Sequence, residues 1–395
     1  MRPFEELLPR EEALRRLLDA ARPVGRSESV PLREARGRAS AEDVEATVAV
    51  PPFARSMMDG YAVRSADGAA PRSVVGEAFA GHGFPGVVHV GEAVRIATGA
   101  PLPIGADTVV RVEDAREEGM LVYVSSAPRA GQSTDPAGSD VGLGSPIVTV
   151  GTVLTPARLG LLASVGRSTV RVHARPRVAV LPTGDELVAP GAPPRADAIY
   201  DSNSTSLAAI FETAGCTVTA HPAVRDDMRA IEGALVEASR ANDIVVLSGG
   251  ASVGSRDLVV DALLKHGEVL LHGVRVKPGK PLLVGRIGDT LIIGLPGNPT
   301  SALSNAALFV LPTLRKLAGL PPLSERTVEA ELSMGVEGNP RRFLFLPVKL
   351  DSGRAIPTFK GSGALTSFSE SDGWVGVPEG VNLKSGSRVV VTLWP

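Results

Sequence analysis

The segment TLIIGLPGNPT (290–300) decides the fold. An apolar run of strand length ends in Pro296-Gly297-Asn298-Pro299, and a helical stretch from Pro299 to about Ala318 follows. The same grammar appears twice upstream. In RVAVLPTGDELV (177–188) a buried-strand pattern runs into Pro182-Thr183-Gly184-Asp185-Glu186, and in DIVVLSGG (243–250) it runs into a glycine-rich loop that continues as ASVGSRD (251–257). Between these lie helical patterns at Asn203–Ala214, Asp227–Arg240 and Arg256–Lys265, with a short strand at Cys216–Ala220 and another β-run at Leu282–Arg286. Continuous apolar strands alternating with helices predict a mainly parallel sheet covered on both faces.

Outward from this block the texture changes in both directions. After Gly319-Leu-Pro-Pro322 the chain is β-rich to its end, clearest at Phe343–Lys349 and Arg388–Trp394. Before it, residues 45–145 carry short β-runs separated by Gly, Pro and Asp-Gly turns, and 127–144 is a long polar loop. The chain opens on an amphipathic helix with Leu7, Leu8, Leu14, Leu17, Leu18 and Ala21 on one stripe. A length of 395 residues implies two to four domains. Net charge is −2, from 41 Lys plus Arg against 43 Asp plus Glu, and aromatics make up 4%. Neither a basic field nor stacking platforms for nucleic acid are present. One cysteine, Cys216, excludes disulfide frameworks, thiolate zinc sites and iron–sulfur clusters, and its strand context predicts a buried, inert thiol. No stretch is apolar for the ~18 residues that a membrane span needs, and a cytoplasmic protein is expected.

Ligands of parallel α/β sheets bind beyond the carboxyl ends of the strands. The loops holding Thr183, Gly184 and Glu186, then Ser248, Gly249 and Gly250, then Pro296, Gly297, Asn298 and Pro299, should therefore share one edge. Each alone reads as an ordinary turn; together, with carboxylates at Asp185, Glu186 and Asp257, they suit a polyanion cradled by backbone N–H groups. The turn Val276-Lys277-Pro278-Gly279-Lys280-Pro281 holds two of only seven lysines, either as a solvated turn or as a phosphate binder. Asp226 and Asp227 precede a helix and read equally as caps. The six histidines show no ligand spacing, so Mg²⁺ on oxygen donors is the natural ion. Neither a Walker A loop nor a dinucleotide fingerprint is present.

SMMDGYA (56–62), RIATGAPLP (95–103), LPTGDELV (181–188), IYDSNS (199–204), RDD (225–227), SGGASVGSRD (248–257), KPGKP (277–281), LPGNP (295–299) and KGSGALTS (360–367) occur in this order. Together they resemble the molybdopterin molybdenumtransferase family of the MoeA type, which includes the C-terminal domain of gephyrin. That resemblance implies a multi-domain α/β plus β fold. Its parts would be a discontinuous N-terminal domain (1–45 and 146–175), an inserted β-module (46–145), a three-layer α/β domain like that of molybdopterin adenylyltransferases (176–322) and a small C-terminal β-barrel (323–395). It implies insertion of molybdenum from molybdate into adenylylated molybdopterin with release of AMP and with Mg²⁺ involved. It implies a homodimer whose site is shared between subunits, with molybdopterin adenylyltransferase and molybdoenzymes or their chaperones as possible partners.

By motif, the resemblance assigns Asp59, Thr98, Glu186, Asp226 and Asp257 to catalysis, and Glu186, Asp226 and Asp257 to the metal. Substrate binding falls to Asp140, Thr183, Gly184, Ser248, Gly249, Gly250, Lys277, Lys280, Pro296, Gly297, Asn298, Pro299, Arg342, Ser362 and Thr366 or Ser367. Three departures stand out: Gly138-Ser-Asp140 where Gly-Glu-Asp is usual, Gly273 where some members carry lysine, and Met57 for the common alanine. The adenylyltransferase alternative needs only the α/β domain, and the flanking β-modules argue against it. A gephyrin-like scaffold would be favoured by loss of the acidic residues, which are present.

Overall fold

The computed structural model describes residues 7–249 and 258–394. Two compact units make up the chain: Met1–Glu28, Gly37–Ala39 and Val172–Pro395 form one, Ser29–Arg36 and Ser40–Arg171 the other.

The first unit is built on a six-stranded sheet. Its spatial order is Thr217–Ala220, Arg177–Pro182, Ile244–Ser248, Thr290–Leu295, Leu283–Ile287 and Glu268–His272. The first four strands run parallel. Leu283–Ile287 runs antiparallel to Thr290–Leu295, and Glu268–His272 antiparallel to it in turn, so the edge strand again points the same way as the first four. Alternate residues feed opposite faces, as the period of a strand requires. Val178, Val180, Ile244, Val246 and Ile293 pack on one side with Leu207, Phe211 and Phe309. Ala179, Leu181, Val245, Leu247 and Ile292 pack on the other with Ile231, Leu235, Val259 and Leu263. Both faces are dry, which is why these strands read as unbroken apolar runs.

Helices Ser202–Thr213, Met228–Ala241 and Leu258–His266 cover the sheet. Asp201 caps the first of them by accepting from Ser204 N–H at 3.0 Å. Asp227 caps the second, its Oδ1 accepting from the N–H groups of Arg229 and Ala230 at 3.0 Å each. The helix expected at Pro299–Ala318 is α-helical over Pro299–Asn305, widens to a π-turn over Ala306–Val310, and resumes over Leu311–Leu317. At the amino ends of the strands, Asp243 accepts both Arg26 guanidinium N–H groups at 2.7 Å and the backbone N–H of Arg177 at 2.8 Å. Cys216 is buried and free, and desolvation pushes its thiol up to about 12, so it stays protonated and inert.

The N-terminal helix, Arg10–Ala20, belongs to the first compact unit. Its stripe, Ala13 and Leu17, is buried in the same core as Leu314 and Leu317, and the Lys316 ammonium donates to Leu18 C=O at 2.7 Å. Burial of each such leucine contributes about 1.5–3 kcal/mol, which decides where the helix docks.

The C-terminal segment closes on itself. Strands Thr327–Leu332, Phe343–Asp351, Arg354–Pro357, Gly373–Val377 and Arg388–Leu393 form a barrel, closed by pairing of Phe343–Asp351 with Gly373–Val377. Leu332, Leu346, Val348, Val375 and Val391 fill it. Outside the barrel, Phe345 stacks on Trp374 at 4.6 Å and on Phe368 at 5.8 Å, and it joins the α/β core. Val276–Lys277 adds to the barrel edge beside Phe343–Leu344, so the lysine turn is held between the two layers of this unit.

The second unit carries its own six-stranded sheet, ordered Thr108–Arg111, Gly60–Val63, Glu92–Ile96, Arg72–Ala78, Leu121–Val124 and Ala115–Glu118. Ala62, Val94 and Val109 fill one face, and Tyr61, Val63 and Val122 the other. The long 127–144 loop is tied down where Thr134–Asp135 pairs with Arg55–Ser56, with Arg55 and Asp135 in an ion pair at 2.9 Å.

Candidate active site

The register of the central sheet sets the site. Pro182 stands beside Ser248, and Ser248 beside Leu295, so three adjacent strands end level. The loops that follow them open into a cleft of about 950 Å³. Thr183, Gly184, Glu186, Asp226, Ser248, Gly249, Pro296, Gly297, Asn298 and Pro299 all line it. Gly250 and Asp257 lie outside the described residues.

Two glycines let the backbone make these turns. At Gly184 (φ +149°) a Cβ would stand 2.6 Å from a Glu186 carboxylate oxygen, and at Gly249 (φ +100°) 2.5 Å from Thr183 C=O. Neither position accepts a side chain without displacing the loop. Asn203 joins the loops: its amide nitrogen donates to Ser248 Oγ and to Gly297 C=O, both at 2.8 Å. Because Asp227 does the capping, Asp226 is left to face the cleft. Desolvation at the cleft wall, then the charges of Asp185 and Glu186, hold its carboxyl above the usual range. Leu187, Ile199, Tyr200, Ile231 and Leu258 add apolar surface to the lining.

Lys280 and Arg342 do not line this cleft. They share a second cavity of about 440 Å³ with Arg275, Arg341 and Glu379. Pro281, the next residue after Lys280, lines the main cleft, so the lysine turn reaches both cavities. Lys277 is half-buried in the short strand at the barrel edge. Ser362 meets the PGNP loop, its Oγ accepting from the Asn298 amide at 3.2 Å and its C=O from Thr300 N–H at 3.0 Å. Thr366 is exposed at the start of a one-turn helix; Ser367 is buried, with its Oγ accepting from Lys360 N–H at 3.0 Å.

In the second unit Asp59 and Thr98 form a pair. Asp59 Oδ1 accepts from the Thr98 N–H at 2.7 Å and from its hydroxyl at 3.0 Å. These two donors hold the carboxyl below its usual range, so it is an anion at neutral pH. Asp140 is exposed on a turn whose backbone N–H donates to Val50 C=O at 3.0 Å.

Comparison with known proteins places this architecture. Residues 8–166 match the family model described as MoeA N-terminal region (domain I and II), 179–316 a probable molybdopterin binding domain, and 329–394 the MoeA C-terminal region (domain IV). A Haemophilus influenzae protein named molybdopterin molybdenumtransferase is 33% identical over 98% of both chains. This chain belongs to the MoeA family. A Mycobacterium tuberculosis relative, molybdopterin molybdenumtransferase 2, is 37% identical over 77% of this chain and 78% of its own. A crystal structure titled molybdopterin biosynthesis MoeA protein, from Pyrococcus horikoshii OT3, superposes with a TM-score of 0.86 at 30% identity, covering 98% of this chain and all of that one.

Within the first unit the MoeA motif positions thus fall into a cleft group and a basic-cavity group, while the Asp59–Thr98 pair belongs to the second unit. Sequence reading passed over Asn203, Arg275 and Arg341. IYDSNS was recognised as a motif without a role for its asparagine, and single arginines on irregular segments carry no pattern. For a divalent cation, the described part of the cleft offers the carboxylates of Glu186 and Asp226, with Asp201 engaged as a helix cap, and the Asp226 carboxyl is raised first by desolvation and then by the charges of Asp185 and Glu186. Among the described residues no group of three or more His, Cys, Asp or Glu is arranged to hold a metal by itself. Two carboxylates completed by water and substrate phosphate suit Mg²⁺, a hard ion that keeps part of its hydration. No helix among the described residues is long and apolar enough to cross a membrane.

Proposed function

We propose that this protein transfers molybdenum from molybdate into adenylylated molybdopterin and releases AMP, acting as a homodimer with Mg²⁺. The observation that carries the reading is the main cleft. Its size accommodates a dinucleotide-like substrate, turns from three strand ends line it, and its lining combines the carboxylates of Glu186 and Asp226 with apolar side chains suited to a heterocycle.

Bound Mg²⁺ would offset charge on the phosphoanhydride and on the departing AMP. Glu186 and Asp226 would hold it against the bridging phosphates. The Thr183, Gly184 and Gly249 N–H groups, which the sequence suggested as an anion cradle, instead donate to Ser248, Val224 and Leu295 C=O at 2.9, 3.1 and 3.1 Å; the Gly297 and Asn298 N–H groups of the PGNP turn would orient the anionic chain. Lys280, with Arg275, Arg341 and Arg342, concentrates positive charge in the second cavity, where an oxyanion is held electrostatically next to the turn that also borders the cleft. Lys277 lies at the other end of that turn. The dithiolene sulfurs belong to the substrate, so a protein with one buried thiol can serve this chemistry.

Asp59, Thr98 and Asp140 lie in the second compact unit. In the dimer we propose, a second subunit brings them to the cleft, with Asp59 arriving as an anion already oriented by Thr98. Molybdate-dependent release of AMP tests the reaction, and mixing variants tests the shared site. Asp59→Asn and Glu186→Gln homodimers should each be nearly inactive. Random re-assortment of the two should restore about a quarter of wild-type activity, because half the dimers then hold one intact site of two. No recovery, with heterodimers verified by mass, would place both residues in the same subunit's site.

A further inference from the structure

Four buried side-chain oxygens among the described residues have no hydrogen-bond partner, and three of them belong to Thr183, Asn203 and Ser204. Thr183 and Asn203 line the main cleft and are 4% and 8% exposed. A buried polar atom without a partner forfeits its hydration uncompensated, so such atoms are rare and call for a cause.

The Asn203 amide cannot be turned round. Its nitrogen faces Gly297 C=O at 2.8 Å, and that carbonyl only accepts, so the facing atom must be the NH₂ donor. The carbonyl oxygen Oδ1 is thereby fixed as an acceptor awaiting a donor. Phosphate and molybdate oxygens at neutral pH are acceptors and would be repelled by it. The Thr183 hydroxyl, on the first residue beyond its strand, can donate or accept. Gly249 lies against Thr183: a Cβ there would stand 2.9 Å from Thr183 Oγ1, so the absence of a side chain leaves the hydroxyl unobstructed on that side.

We propose that Thr183 and Asn203 form a recess that reads the N–H edge of an amino-bearing nitrogen heterocycle, and so act as specificity-determining residues at the cleft floor. This inference rests on the function proposed above and assigns one part of its substrate. The phosphates lie toward the PGNP turn, and an exocyclic ring amine meets Asn203 Oδ1 and Thr183 Oγ1. Both ring systems of adenylylated molybdopterin carry such groups. A site built to pair a buried acceptor discriminates strongly against an analogue that lacks the donor, because the acceptor is then left unpaired.

The test uses the full-length protein and two pairs of probes: AMP against inosine monophosphate, and pterin against lumazine, each second member having oxygen in place of the ring amine. In calorimetric titrations the wild type should favour the amine of one pair by about tenfold or more, and that pair identifies the ring. Thr183→Val keeps shape and removes only the unpaired hydroxyl. Its melting temperature should equal or exceed that of the wild type, while its preference for the amine falls at least about threefold. Asn203→Ala should abolish the preference, and because it also removes two hydrogen bonds between loops, Thr183→Val is the decisive variant. Equal binding within both pairs by the wild type, or a preference untouched by Thr183→Val, overturns the proposal. AMP release from adenylylated molybdopterin is scored separately. Retained molybdate-dependent release with no amine preference would sink the recess alone, whereas no release with intact preference would sink the proposed reaction.

Discussion

Glu186→Gln lowers molybdate-dependent AMP release by about 10²–10³-fold and leaves the protein as stable as the wild type, or slightly more so. Glu186 sits at the mouth of the Thr183–Gly184 turn, its carboxylate folded over the Gly184 backbone, and its charge helps to raise the Asp226 carboxyl. Glutamine keeps the size and removes the charge. It therefore takes away a charged ligand of the proposed Mg²⁺ while relieving repulsion with Asp226 and Asp185. A catalytic loss with an unchanged or raised melting temperature is the signature of a group placed for function rather than for folding. Turnover within about threefold of the wild type would show that this carboxylate is not part of the chemistry.

Asp243→Ala has a large expected effect on stability, about 1–3 kcal/mol, read as a lowered midpoint in urea unfolding. The substitution leaves the Arg26 guanidinium and the Arg177 N–H facing one another at the base of two central strands with no acceptor. Burial alone would raise the Asp243 carboxyl, but hydrogen bonds from Arg26 and the Arg177 N–H, with both guanidinium charges, outweigh it and hold it below its usual range. The sign follows. A depressed folded-state value means that the carboxylate's stabilisation is complete above its unfolded value near 4 and is lost as pH falls through the folded one. Wild type should thus lose stability below about pH 4 more steeply than the alanine variant. Equal acid sensitivity in the two proteins would remove Asp243 from the account.

The sequence showed the α/β sheet plainly because its strands are dry on both faces, and apolar runs such as Val178–Leu181 and Ile244–Leu247 have no other reading. The cleft-lining turns were legible for the same reason: once RVAVLP, IVVLS and TLIIGL are central strands, whatever follows them lies at one edge. What escaped was set by long-range packing. The N-terminal helix showed a stripe but not its partner, and only the core around Leu314 and Leu317 settles that it docks on the α/β half. Asp226 and Asp227 were interchangeable as cap or ligand until the backbone chose Asp227 for the cap. Arg275 and Arg341 join Lys280 and Arg342 because Val276–Lys277 pairs with the barrel strand at Phe343–Leu344, a contact that no local pattern announces. An orphaned acceptor such as Asn203 Oδ1 is a property of three converging loops and has no sequence signature at all.

The most direct test of the proposed reaction is a single-turnover experiment on the purified dimer with adenylylated molybdopterin and Mg²⁺, with and without molybdate. AMP and pterin-bound molybdenum are both quantified. The account predicts one AMP and one molybdenum-loaded pterin per site with molybdate present, and neither without it. AMP release that ignores molybdate, or pterin recovered without molybdenum from a protein that binds the substrate, would contradict it.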